Sequence, residues 1–135
     1  MSVAAALAAV CLSSGALATS IPTTAFELRW MHSIEKTQWH EYWRVTPTAL
    51  ALNLTLTHAR IATSGAGMEI PDNAVWVNGA YEYPVNLQLS SLTLSHSPFT
   101  AQATICANNT CKSLGDWLPG LPRIAAVTVA ACPRP

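Results

Sequence analysis

The sequence predicts an all-β fold: a small antiparallel sandwich or partly closed barrel with a disulfide-stapled hairpin, after an N-terminal signal helix. Three observations predict it. Apolar residues alternate with polar ones from Phe26 onward, which is the period of a half-buried strand. Turn residues separate these short runs, and no run of useful length after the first eighteen residues carries the helical period. A chain of 135 residues encloses one core and not two.

The N-terminal segment stands apart in composition. Met1 to Ala18 hold no charged side chain, Val3 to Leu12 form an alanine-rich apolar run, and Ala16-Leu17-Ala18 has the small-x-small pattern of a signal-peptidase site. The expectation is a signal peptide over residues 1–18, cleaved after Ala18, and a single β domain over 19–135. The run is shorter than the roughly twenty apolar residues that span a bilayer, so no stable transmembrane span is expected in the mature chain. Its n-region lacks Lys and Arg, and a buried N-terminal helix is the other reading of the same run.

The strands follow in order. Phe26, Leu28, Trp30 and His32 share one face of the first; Trp39, Glu41, Trp43 and Val45 share one face of the second, before Pro47 interrupts. Leu50 to His58 is the cleanest alternation, with His58 ending its apolar face as His32 ends that of the first strand. Ser64 to Gly67 and Pro71 to Asn73 mark an irregular loop. Val75 to Val77 precedes Asn78-Gly79, a tight-turn signal. Tyr81 to Leu94 is strand-like, but its leucines change phase across Ser90-Ser91, as a bulge or turn there would explain. Phe99 to Cys106 and Cys111 to Leu114 make a hairpin, Asp116 to Pro122 a proline-bounded loop, and Ile124 to Ala131 a closing strand.

Cys106 and Cys111 flank four turn-rich residues, a spacing that suits a bridge across a hairpin in an oxidising compartment. A zinc half-site is the alternative, without a second close Cys or His pair to complete it. Cys132 is left as a free thiol or pairs with another cysteine, and the connectivity stays open.

Charge excludes some functions. Seven basic against seven acidic side chains give no footprint for nucleic acid or an anionic membrane surface. Half the residues are hydrophobic and a tenth charged, which argues against disorder. No cofactor or metal is expected: His32, His58 and His96 have no metal-ligand spacing. No catalytic residues are assigned, because Ser33 follows His32 directly and the two side chains face opposite sides of a strand.

The informative feature is polar residues on apolar faces. Glu41 lies between Trp39 and Trp43, where a carboxylate needs a partner; His32 is the nearest by register, with Arg29, Lys36 and Arg60 as cations from elsewhere. Such a pair either pins the hairpin or belongs to a site. In an up-and-down sheet the first and third strands run the same way, so Ser33 to Gln38 and Ala62 to Asn73 emerge at one rim. The candidate ligand-binding residues are therefore His32, Ser33, Glu35, Lys36, Glu41, Ser64, Gly65, Gly67 and Met68. The glycines permit close backbone approach, and Lys36 beside them favours an anion.

Trp30-Met31-His32-Ser33-Ile34-Glu35-Lys36-Thr37, then Trp39-x-Glu41-x-Trp43-Arg44-Val45, then Ser64-Gly65-Ala66-Gly67-Met68-Glu69-x-Pro71, resembles the bacterial domain of unknown function 1850 family. Members of that family are found beside, or fused to, the membrane subunits of TAXI-type TRAP transporters. The similarity is strongest over residues 26–71 and continues more loosely to the cysteine hairpin, Cys111 to Leu118 and the C-terminal cysteine. His40 departs from the pattern, where an acidic residue is usual, as does Thr63, where glycine is common. The resemblance implies a cell-envelope location and an association with organic-acid uptake, and it implies no reaction. The leading expectation is a periplasmic or secreted accessory or ligand-binding module, partnered by the TRAP membrane subunits or their small anionic substrate. A cell-envelope enzyme of hydrolase type using Glu41 and His32, and a structural envelope domain, are the alternatives.

Overall fold

In the computed structural model, residues 7–31, 38–62, 70–100 and 102–135 are described. Eleven strands run in chain order: β1 (Ala8–Ser14), β2 (Leu17–Ile21), β3 (Ala25–Met31), β4 (Gln38–Pro47), β5 (Leu52–Ile61), β6 (Val75–Val77), β7 (Ala80–Leu89), β8 (Ser91–His96), β9 (Thr104–Ala107), β10 (Thr110–Ser113) and β11 (Ala125–Pro133). A short helix, α1 (Leu114–Trp117), follows β10. The strands form two sheets, a four-stranded one in the order β2-β1-β11-β8 and a seven-stranded one in the order β10-β9-β3-β4-β5-β7-β6. Every pairing is antiparallel.

The core lies between the sheets. Val10, Leu12, Val127 and Val129 from one sheet meet Phe26, Leu28, Trp43, Val45, Leu54, Leu56 and Ile105 from the other. Burying each such side chain contributes about 1.5–3 kcal/mol. Leu114 and Leu118 of the α1 turn are also buried in this core. Ser113 caps α1 by accepting the Asp116 N–H at 3.2 Å, and the Trp117 indole donates to the Ile105 carbonyl at 3.0 Å. This capped turn occupies part of the region expected to be loop.

The N-terminal segment corrects one expectation. Residues 8–14 do not form a signal helix; they form β1, the strand between β2 and β11, and Ala8, Ala9 and Val10 have no exposed surface. A strand inside a sheet and covered on both faces is apolar without alternation, and a short run of that kind reads the same as a helix. Gly15 turns the chain into β2 with φ 55°. Cys11 is bonded to Cys132. Register explains the bond: Cys11 sits opposite Ala130 and Cys132 opposite Ala9, so the two cysteines are diagonal neighbours on one face.

The second disulfide joins Cys106 to Cys111, directly opposite one another on β9 and β10. Asn108 and Asn109 make the turn with φ 52° and 62°, values asparagine tolerates better than most residues. The leucine phase change also has a physical cause. β7 ends at Leu89 in the seven-stranded sheet and β8 begins at Ser91 in the other, so the chain changes sheets at Ser90. Two disulfides are the chemistry of an oxidising, extracytoplasmic setting. Among the described residues, no helix is long and apolar enough to cross a membrane.

Candidate functional site

β3 pairs with β4 so that Trp30 opposes Trp39 and Leu28 opposes Glu41. β5 pairs with the other edge of β4, with Ile61 opposite Trp39 and Ala59 opposite Glu41. Both neighbours are antiparallel to β4, so β3 and β5 run the same way and end at one rim. From that rim the chain continues into 32–37 after Met31 and into 63–69 after Ala62. His32, Ser33, Glu35, Lys36, Ser64, Gly65, Gly67 and Met68 lie outside the described residues. Of the expected ligand-binding set, the structure places Glu41.

Glu41 sits on the inner face of the seven-stranded sheet, in the row Ile105, Leu28, Glu41, Ala59, Tyr83. The indole N–H of Trp43 donates to its Oε1 at 3.4 Å. Burial raises the Glu41 carboxyl above its ordinary range, and the Trp43 hydrogen bond only partly opposes that. Tyr83 responds as well: burial and then the charge of Glu41 raise its phenol, which remains a hydroxyl donor. Beside Glu41 lies a cavity of about 310 Å³ lined by Leu28, Trp30, Leu94, Ser95 and Ala103. Its walls come from both sheets. Trp30 and Trp39 stack at 5.1 Å next to it. The arrangement is a carboxyl group in a mostly apolar slot, able to accept a hydrogen bond when ionised and donate one when neutral.

Of the cations proposed for Glu41 from elsewhere, Arg29 and Arg60 do not reach it, and Lys36 lies outside the described residues. Arg29 bonds Glu27 through two N–H groups at 3.1 Å each, and Arg60 bonds Glu82 at 3.0 Å along with the carbonyls of Val77 and Asn78. Both belong to the opposite face of the sheet. His58 is there too, a correction to its place at the end of the leucine face. Leu56 pairs with Trp43, but His58 pairs with Tyr42, so Thr57 is an extra residue that reverses the alternation. The bulge puts Ala59 and Ile61 into the core and His58 and Arg60 outside it.

That outer face carries a polar network the sequence reading missed. Glu27 is held by Arg29 and by His40, whose Nδ1 lies 2.5 Å from Oε1. Burial alone would raise the Glu27 carboxyl, but the hydrogen bonds and charges of Arg29 and His40 bring it below the ordinary range. Tyr42 stacks on His58 with ring centres 4.1 Å apart. The available signal was the second set of alternating positions, Glu27, Arg29, His40, Tyr42 and Arg44, on the face opposite the apolar one. Among the described residues, no group of three or more His, Cys, Asp or Glu side chains is arranged to hold a metal.

Searches of curated proteins and of solved structures give no match to this chain. A family model matches residues 26–114, from β3 through the first residue of α1 and so across the whole seven-stranded sheet. By that match the chain belongs to the family described as a domain of unknown function, DUF1850.

Proposed function

We propose that this domain is a periplasmic ligand-binding accessory module of organic-acid uptake by a TAXI-type TRAP transporter. The observation that carries the reading is Glu41, a half-buried carboxyl on a cavity of about 310 Å³ at the rim from which both motif-bearing stretches leave. A neutral carboxyl in such a slot donates its O–H to the carboxylate of an acid ligand, and burial favours that neutral form. The two disulfides support an extracytoplasmic setting. The transporter partnership rests on the family's association with TRAP membrane subunits.

The test is transport. Deleting the gene from a cell that carries the transporter is expected to lower organic-acid uptake. The wild-type gene restores it, while Glu41→Leu, secreted and folded but without a donor at this position, does not. Normal uptake in the deletion strain, with transporter levels unchanged, defeats the proposal.

A further inference from the structure

The outer face of the seven-stranded sheet has a groove of about 500 Å³, on the opposite side of the sheet from Glu41. That volume lies in the range of small-molecule sites. Its depth has a simple origin. Ala25 places only a methyl group on the face between the long side chain of Arg44, its partner on β4, and the Asn108–Asn109 turn. Asn108 fixes that turn by donating to the Pro22 carbonyl at 3.1 Å. Glu27 lines the groove next to Ala25, and the Cys106–Cys111 disulfide closes the side toward β10.

Charge sets the class of ligand. Glu27 is already matched by Arg29, so the two cancel. Arg44 is exposed and makes no hydrogen bond or ion pair among the described residues, which leaves the groove with one unmatched guanidinium. A guanidinium presents two parallel N–H donors and fits a carboxylate better than a spherical anion. Shape adds the second element. Tyr42 and His58 stack nearly parallel, 10° apart, and both line the groove. A flat ring extends such a stack.

We propose that this groove is a second binding site, distinct from the Glu41 cavity, which takes a small aromatic carboxylate through the Arg44 guanidinium and the Tyr42–His58 stack. The site goes beyond the function proposed above and does not depend on it.

Benzoate is the probe, titrated into the full chain with both disulfides oxidised and followed by amide chemical shifts. Saturable binding is expected, with shifts concentrated at Ala25, Arg44, Thr57, His58, Asn108 and Asn109. Arg44→Gln, an exposed and foldable change, should weaken benzoate at least about tenfold. Benzamide, with the same ring and no charge, should bind at least about tenfold more weakly than benzoate. Three results overturn the proposal: no saturable benzoate shifts, equal binding of benzamide, or unchanged binding by Arg44→Gln. Shifts centred on Leu28, Trp30 and Leu94 also overturn it, because they place the anion in the inner cavity and leave the groove empty.

Discussion

Two carboxylates on neighbouring strands are tuned in opposite directions by the faces they occupy. Glu41 is inside, with an indole N–H as its partner, and its pKa is raised by burial above 4.5. Between 4.5 and that raised value the folded chain holds a proton the unfolded chain has lost, so this group's stability contribution is complete at low pH and disappears as pH rises. Glu41→Gln should therefore be more stable than wild type at pH 7 by on the order of 1 kcal/mol, with the gap closing as pH falls through the raised value toward 4.5. Urea unfolding at several pH values measures this, and a variant less stable at neutral pH would mean the carboxylate is paired. Glu27 has the opposite sign. Burial works against it, but Arg29 and His40 lower its pKa, so its contribution is present above 4.5 and is lost as pH falls through the lowered value. Glu27→Gln should cost about 1 kcal/mol at pH 7, a modest figure because Arg29 is partly solvated and screened. The same denaturation series should show wild type and variant converging in acid.

At the scale of elements, one extra residue decides which chemistry faces which side. Thr57 sits in the bulge between Leu56 and His58, where its hydroxyl donates to the Tyr42 carbonyl at 3.1 Å and lies 2.9 Å from His58 Nδ1. Deleting Thr57 restores strict alternation. It leaves Leu56, Ala59 and Ile61 on the core face and His58 and Arg60 outside, so the expected result is a cooperative thermal transition that is kept, at a lower temperature for the lost Thr57–Tyr42 hydrogen bond. Thr57→Ala keeps the count and should cost only about 1 kcal/mol. If the deletion variant no longer melts cooperatively, the facing of Ala59 and Ile61 depends on more than the count of residues at the bulge. The same residue shows how far a sequence is legible. Strands β3, β4, β6 and β9–β10 were readable because period two and paired turn residues act locally, and Glu41 was readable because it interrupts an aromatic face. His58 was misplaced because a bulge carries no mark in residue type: Leu56-Thr57-His58 looks like uninterrupted alternation. The outer groove was missed for a related reason. Its depth depends on Ala25 standing opposite Arg44, a register fact that exists only once β3 and β4 are paired.

For the whole molecule, the two disulfides constrain very different lengths of chain. Cys11–Cys132 spans 121 residues and Cys106–Cys111 spans five. On chain entropy alone the first restricts the unfolded state by about 5 kcal/mol and the second by about 2 kcal/mol. Replacing both Cys11 and Cys132 by serine should lower the melting temperature far more than the same change at Cys106 and Cys111. The long bridge also ties β1 to β11, with Arg134 donating backbone and side-chain N–H groups to the Leu7 and Ala8 carbonyls beyond it. A cut after Ala18 would remove β1, expose the β11 edge it covers, uncover Val127 and Val129 and leave Cys132 without its partner. Each of these changes opposes folding, the first by exposing a strand edge and the second by exposing core surface. Protein recovered from the cell envelope is therefore expected to retain residues 8–18. Alkylation of the denatured, unreduced chain should find no free thiol, and reduction should release four. An intact mass beginning at Thr19, with one alkylated cysteine, would show that β11 is covered by something other than β1, and the four-stranded sheet would have to be rebuilt around that partner.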